Sequence, residues 1–363
     1  MIVFLPTYKR PDVFSYVLQS ALSSDVTGIN ERILILVLNN HYSDKDIIDR
    51  ILSNTAFHDR FEYNVVHRKE KMVPTESWHL AIFDYAVENE IVCVVGDDDI
   101  LMPWGLKYRY NNMIESNADM LITDFSQTLF FFENGKKCFF NSAIPKAPKK
   151  DIDFFLWDGS PPFNRTSFVS IHTYRNSIAF RRGLDLAKDW SKAQVCVPYE
   201  IATGNTPFYT PYALMASGGQ VIQCDQKDVL RGRIFEEIQY SDYADGGNTA
   251  FYGLLMYDTF SNEELHVDID KFFLMRAHFK RSFIVGVLSI LVNNKIPVSL
   301  LINTMRHSGI TLTDFFNWAS LNNLYSILRM IPGIRGYRSK KIAKSDKLEL
   351  TNEFLDYIKL ISD

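Results

Sequence analysis

The chain has 363 residues, 47% of them hydrophobic and 14% aromatic, with a formal net charge of -4. That length suits one large or two fused domains, and the apolar content builds a sizeable core, which excludes global disorder. The mild acidity gives no whole-protein case for nucleic-acid binding.

Cys93, Cys138, Cys196 and Cys224 are scattered and form no CxxC pair. This argues against a zinc site and a dense disulfide framework, and it fits a reducing cytoplasm. Residues 1–5 are apolar but run into Pro6 and the basic pair Lys9-Arg10, unlike a signal peptide. The uncharged apolar run 283–292 is about half the ~20 residues a spanning helix needs. The expectation is a cytoplasmic protein, soluble or peripheral on the inner face of the cell membrane.

Residues 2–5 read as a short buried strand stopped by Pro6. Val13, Val17 and Ala21, with Phe14, Leu18 and Leu22, recur at helical spacing. Residues 32–38 (RILILVL) form a continuous apolar run, as a strand buried on both faces should. Asn39 and Asn40 end it, and Ser43 is placed to cap the next helix, with Asp44 and Asp46 in its first turn. Residues 64–66 are a weak third strand. Trp78, Ile82 and Tyr85 trace a helix opening near Pro74.

Residues 91–95 (IVCVV) are the clearest strand. A helix over 104–117 and a strand over 120–123 follow. This alternation predicts an α/β fold, a mostly parallel sheet with helices on both faces. Residues 128–132 and 137–140 flank Glu133-Asn134-Gly135 and read as a hairpin. From about residue 265 the signals are mainly helical.

The sharpest chemical feature is Gly96-Asp97-Asp98-Asp99, directly after IVCVV. Adjacent carboxylates at the end of a buried strand repel one another, and desolvation opposes their charge. A divalent cation offsets both costs, and hard oxygen ligands suit Mg²⁺ or Mn²⁺. Open α/β sheets place ligands just beyond the carboxyl ends of their strands. A solvated acidic turn is the plainer reading of the same residues.

Three further strand-to-helix loops gather on the same edge of a parallel sheet: PTYKRPD (6–12), NNHYSD (39–44), and the stretch holding Glu70-Lys71-Met72 and Trp78-His79. PTYKRPD, NNHYSD and GDDDIL in this order resemble the family 2 glycosyltransferases of the GT-A fold, of bacterial polysaccharide and O-antigen type. The resemblance covers residues 1–125 well and 126–230 loosely. It implies an enzyme that moves a hexose or deoxyhexose from a nucleotide-sugar donor to a saccharide acceptor with inversion.

Residue by residue, the resemblance puts Pro6, Thr7 and Arg10 along the nucleoside, and Asn40 and Asp44 in the base pocket. Lys71 falls by the base or phosphates, Asp97 and Asp98 by the ribose or sugar, and Asp99 on the metal. The family commonly has an acid where this chain has Asn39-Asn40. Glu200, before a helical stretch, is the first candidate for the base that activates the acceptor hydroxyl, and Asp189 beside Trp190 the second. Residues 177–182 (SIAFRR) resemble the family's strand ending in paired basic residues, where Arg181 and Arg182 could meet phosphate.

Residues 329–347 carry Arg329, Arg335, Arg338, Lys340, Lys341, Lys344 and Lys347 against the single acid Asp346, with Met330, Ile331, Ile334, Tyr337 and Ile342 interleaved. That mixture suits an anionic membrane surface, as a lipid-linked saccharide acceptor would require, and equally a solvated basic face or a subunit contact. The expected division is a nucleotide-sugar-binding half over 1–125, an acceptor-binding half over 126–264 and a helical extension over 265–363. Two alternatives stand beside this reading: a nucleotidyltransferase, against which the lack of glycine in PTYKRPD speaks, and a non-catalytic carbohydrate-binding protein on a GT-A frame.

Overall fold

A computed structural model describes residues 1–70, 72, 79–133, 136–140, 155–156, 169–192, 210–211, 213–215, 217–234 and 313. The elements that build the sheet edge come first: β1 (Ile2–Thr7), α1 (Pro11–Leu22), β2 (Ile33–Asn39), α2 (Lys45–Asn54), β3 (Phe61–His67), β4 (Ile91–Val94) and β5 (Ile100–Leu101). Then follow α3 (Gly105–Ser116), β6 (Met120–Glu133), β7 (Lys136–Phe140), β8 (Phe155–Leu156), β9 (His172–Arg175), α4 (Ile178–Lys192) and β10 (Val221–Ile234).

The strands form one sheet in the order β3-β2-β1-β4-β9-β6-β10-β5, with β7 beside β6 and β8 beside β10. Pairing is parallel through β3-β2-β1-β4. Beyond β4 it is mixed: β9 runs antiparallel to β4 and β6, and β10 runs parallel to β6. The apolar runs of β1 and β2 explain their central place, since Ile2 to Leu5 and Ile35 to Leu38 are wholly buried. α1 covers this layer with Phe14, Val17, Leu18 and Ala21, and Pro11 opens it at a position where no intrahelical N–H is needed. The predicted hairpin is present as β6 and β7, in the register Leu129 to Phe140 and Phe132 to Lys137.

Three local expectations are corrected. Pro6 does not stop β1, which continues to Thr7 opposite Asn39. Leu34 N–H donates to Met1 O and Asn40 N–H to Thr7 O, so the odd-numbered residues of β1 bond to β2 and the even ones face β4. Pro6 therefore lacks its N–H on the β4 side, just past the Val95 N–H to Phe4 O bond that closes that ladder. The missing donor ends the β1–β4 pairing and lets the chain leave the sheet at Gly96.

Ser43 is not a helix cap. It lies inside a 3₁₀ turn (Tyr42–Asp44), and Asp44 occupies the cap position of α2 without a side-chain cap bond. The helix expected over Ile82 and Tyr85 is present, with π-helical winding over Leu80–Tyr85 and Leu80, Ala81 and Ile82 buried; Pro74 and Trp78 lie outside the described residues. SIAFRR is helix, not strand. Ser177 Oγ accepts the Phe180 N–H at 3.0 Å, and the following residues open α4.

No helix of the described residues is long and apolar enough to cross a membrane. The basic stretch 329–347 and the helical signals from residue 265 lie outside the described residues, residue 313 apart.

Candidate active site

β1 pairs with β2 on one side and β4 on the other, so the strand order reverses between β1 and β4. At such a switch point neighbouring loops turn away to opposite sides and leave a crevice at the strands' carboxyl ends. The loop after β1 holds Tyr8 and Arg10; the loop after β4 holds Gly96 to Asp99. They meet across the crevice. Tyr8 N–H donates to Asp97 Oδ2 at 2.9 Å, and Arg10 Nη1 donates to Asp97 Oδ1 at 3.2 Å and Asp98 Oδ2 at 3.0 Å.

Lys9, between them, takes a left-handed backbone (φ 58°), and this turns Tyr8 and Arg10 onto the acidic loop. The Asp97 carboxyl is pushed up to about 6, chiefly by burial and further by Asp98, against the downward pull of Arg10. Thr7 is buried at the end of β1.

Asp99 turns the other way. It is 3% exposed, its N–H donates to Gly96 O at 3.3 Å, and its Oδ2 accepts the hydroxyl of Ser170. The same Ser170 Oγ accepts the Gly96 N–H at 2.7 Å. A Cβ on Gly96 would stand 3.0 Å from both Asp99 Oδ2 and Ser170 Oγ, so any side chain there would press on both groups.

The loop after β2 supplies the neighbouring wall. The Asn40 side-chain amide is held at both ends by one residue: Nδ2 donates to Met72 O at 2.8 Å, and Oδ1 accepts the Met72 N–H at 2.6 Å. Asn39 is fully buried, accepts the His41 N–H at 3.1 Å and lies 3.1 Å from His67 Nδ1. His67 Nε2 in turn is 2.8 Å from Asp49, which Lys45 also holds. Asp44 lies 3.1 Å from His41 Nδ1, and the Tyr8 ring meets His41 edge-on at 5.7 Å. Pro6, Thr7, Arg10, Asn40, Asp44, Asp97, Asp98 and Asp99 thus all come from the loops and strand ends of this one edge.

Lys71 and Glu200 lie outside the described residues, as does the side chain of Asp189, whose backbone belongs to α4. Arg181 is spent within the fold: its Nε donates to Asn176 Oδ1 at 2.7 Å and its guanidinium lies over Phe83. His172 is buried, with Nδ1 3.0 Å from the Tyr174 hydroxyl.

Sequence reasoning missed the group behind the acidic loop. Arg109 of α3 and Asp228 of β10 are both fully buried and form a two-point ion pair, Nε to Oδ2 at 2.6 Å and Nη2 to Oδ1 at 3.0 Å. Arg109 also reaches Cys93 Sγ at 3.0 Å and Ser170 O at 2.7 Å. Burial opposes the Arg109 charge, but Asp228 beside it more than offsets this and holds its pKa above the ordinary arginine value. Arg109 sits in the run Lys107-Tyr108-Arg109-Tyr110, where nothing in the sequence separates an inward arginine from a solvated one.

Among the described residues no group of three or more His, Cys, Asp or Glu side chains converges as a metal cage. The donor set still suits a hard cation, because Mg²⁺-type ions are commonly bound by one or two carboxylates, with substrate phosphates and water completing the shell.

No protein-family model matches the chain, and no curated protein matches its sequence. Among solved structures, TarS from S. aureus (residues 1–349), in complex with UDP-GlcNAc, superposes with a TM-score of 0.50 at 15% identity, covering 94% of this chain and 88% of that one. The chain shares the fold of TarS. Against a longer TarS structure it covers 94% of itself and 49% of that chain, with a TM-score of 0.47 and 13% identity. The mannosyltransferase PcManGT from Pyrobaculum calidifontis, in complex with GDP-Man and Mn²⁺, gives a TM-score of 0.46 at 9% identity over 92% of this chain and 87% of that one. The α/β GT-A fold class expected from the sequence is therefore the observed one, with the sheet parallel through β3-β2-β1-β4 and mixed beyond β4 rather than mostly parallel throughout.

Proposed function

We propose that this chain is an inverting, divalent-metal-dependent glycosyltransferase that moves a hexose or deoxyhexose from a nucleotide sugar to a saccharide. The reading rests above all on the crevice between β1 and β4, where Arg10 bridges Asp97 and Asp98 at a topological switch point and Asp99 follows in the same loop. The fold shared with TarS, whose structure holds UDP-GlcNAc, supports a nucleotide-sugar donor.

In this reading Thr7, Arg10 and the Asn40–Met72 wall receive the nucleoside, with Asp44 and Lys71 beside it. Asp97 and Asp98 face the ribose and sugar. Asp99 is the residue that would hold Mn²⁺ or Mg²⁺, which when bound stabilises the charge on the departing nucleoside diphosphate. Arg10 bridges Asp97 and Asp98 in this structure, which holds its guanidinium on the crevice where the nucleoside would lie. Glu200, or Asp189 in its stead, deprotonates the acceptor hydroxyl on the opposite face of the sugar. The acceptor fits a lipid-linked saccharide of a surface polysaccharide, reached from the inner membrane face through the basic stretch 329–347.

The test is a panel of nucleotide sugars with Mn²⁺ or Mg²⁺, scored by thermal stabilisation and slow hydrolysis. One nucleotide class should stabilise the protein only with metal, and Asp99→Asn should fold normally yet lose about 10³-fold in turnover. A fully active Asp99→Asn protein would refute the metal reading. Flotation with vesicles that ignores anionic lipid content would remove the membrane part alone.

A further inference from the structure

Ser170 stands between the acidic loop and the buried ion pair, and both of its polar groups are committed. A serine hydroxyl has one proton to give and two lone pairs to receive. The Gly96 N–H occupies a lone pair, and a carboxylate oxygen only accepts, so the hydroxyl proton points at Asp99 Oδ2. At the other end, Ser170 O accepts from Arg109 Nη2 at 2.7 Å. Arg109 is itself fixed by two bonds to Asp228 and one to Cys93 of β4, three residues before Gly96. Ser170 is fully buried and Asp99 nearly so, which leaves little room for water to take over these bonds.

We infer that Ser170 is a positioning residue for the cation: its hydroxyl fixes the rotamer of Asp99, and the Arg109–Asp228 pair fixes Ser170. The inference rests on the reading of Asp99 as the metal-holding carboxylate. The arrangement reaches across the sheet, because Arg109 comes from α3, Asp228 from β10 and Ser170 from the turn that leads into β9. A hydrogen-bonded partner behind a ligating carboxylate commonly tunes metal affinity 10–100-fold.

The experiment measures Mn²⁺ affinity by electron paramagnetic resonance, with UDP or GDP present, and separately the metal-induced rise in melting temperature. The proteins are the wild type, Ser170→Ala, Ser170→Thr, Asp99→Ala, and Ser170→Ala combined with Asp99→Ala. Ser170→Ala should weaken Mn²⁺ about 10-fold or more, and Ser170→Thr, which keeps the hydroxyl, should stay within about threefold of wild type. In the Asp99→Ala background the Ser170 change should make no further difference.

Wild-type affinity in Ser170→Ala, with Asp99→Ala deficient, overturns the inference and leaves the proposed function standing. Absence of Mn²⁺ binding by the wild type with either nucleotide overturns the proposed function itself. If Ser170→Ala does not fold, Gly96→Ala takes its place, since its methyl would press on both Asp99 Oδ2 and Ser170 Oγ. It should lower Mn²⁺ affinity by a similar factor, and unchanged affinity there would equally sink the idea.

Discussion

Arg10 and Asp97 lie 87 positions apart in the chain and meet at 3.2 Å, with the Tyr8 N–H closing on the other oxygen of the same carboxylate. The pair exists because β1 and β4 are neighbours in the sheet and Pro6 releases their ends. One guanidinium shared between Asp97 and Asp98 leaves this edge short of positive charge, and burial makes the shortage costly.

The first prediction concerns the pH dependence of stability. Asp97 is held up to about 6 in the folded protein, against an ordinary value of 3.8. Between those values the folded state binds the proton that the unfolded state has released, so stability falls as pH rises from about 4 to about 6. Above that window the cost is complete, on the order of 2–3 kcal/mol. Asp97→Asn should therefore raise the melting temperature at pH 7.5 and leave it nearly unchanged at pH 4, in metal-free buffer. Equal shifts at both pH values would contradict this.

Arg10→Ala should act in the opposite sense on the same group. Without the guanidinium, Asp97 and Asp98 lose their shared partner, and the fall in stability between acid and neutral pH should deepen. Because Arg10 is proposed to lie along the donor's nucleoside, the KM for the donor should rise about 10-fold or more while far-ultraviolet circular dichroism stays unchanged. Thermal melts across pH and donor titrations check both parts.

Asn40→Asp tests the wall of the crevice. The carboxylate keeps the bond from the Met72 N–H but loses the donor to Met72 O, and sets two acceptors against each other. The expected cost is about 1–3 kcal/mol, with a raised KM for the donor. Urea unfolding and donor binding would read the two effects, and a variant as stable as wild type would show that the clamp carries no weight.

Asp228→Asn should be the most destabilising of these changes, at about 3–5 kcal/mol, because it strands a fully buried guanidinium. Replacing both partners, Arg109→Met with Asp228→Leu, should recover much of that loss in urea unfolding. If the Ser170 bond matters to the metal, the double variant should regain stability without regaining Mn²⁺ affinity.

The strands of the edge were legible because their residues leave few choices. RILILVL and IVCVV are long apolar runs that only a doubly covered strand satisfies, and the Val13, Val17 and Ala21 spacing suits only a helix face. The loops were harder to read. Ser43 looks like a cap, yet the chain makes a 3₁₀ turn there and places Asp44 at the helix start. SIAFRR resembles a family strand ending in paired basic residues, yet the chain forms the first turns of α4 there, with Ser177 Oγ accepting the Phe180 N–H at the helix start.

The order of motifs along the chain, and the crowding of three carboxylates after a buried strand, were set by local sequence alone: strand ends and charge spacing are short-range properties. Which residues answer those carboxylates was not, because Arg10, Ser170 and the Arg109–Asp228 pair come from distant segments that only sheet pairing brings within hydrogen-bond distance. A buried arginine looks like a surface one until its partner is known. The partner of Arg109 lies 119 residues away, and the packing of α3 against the sheet brings the two together.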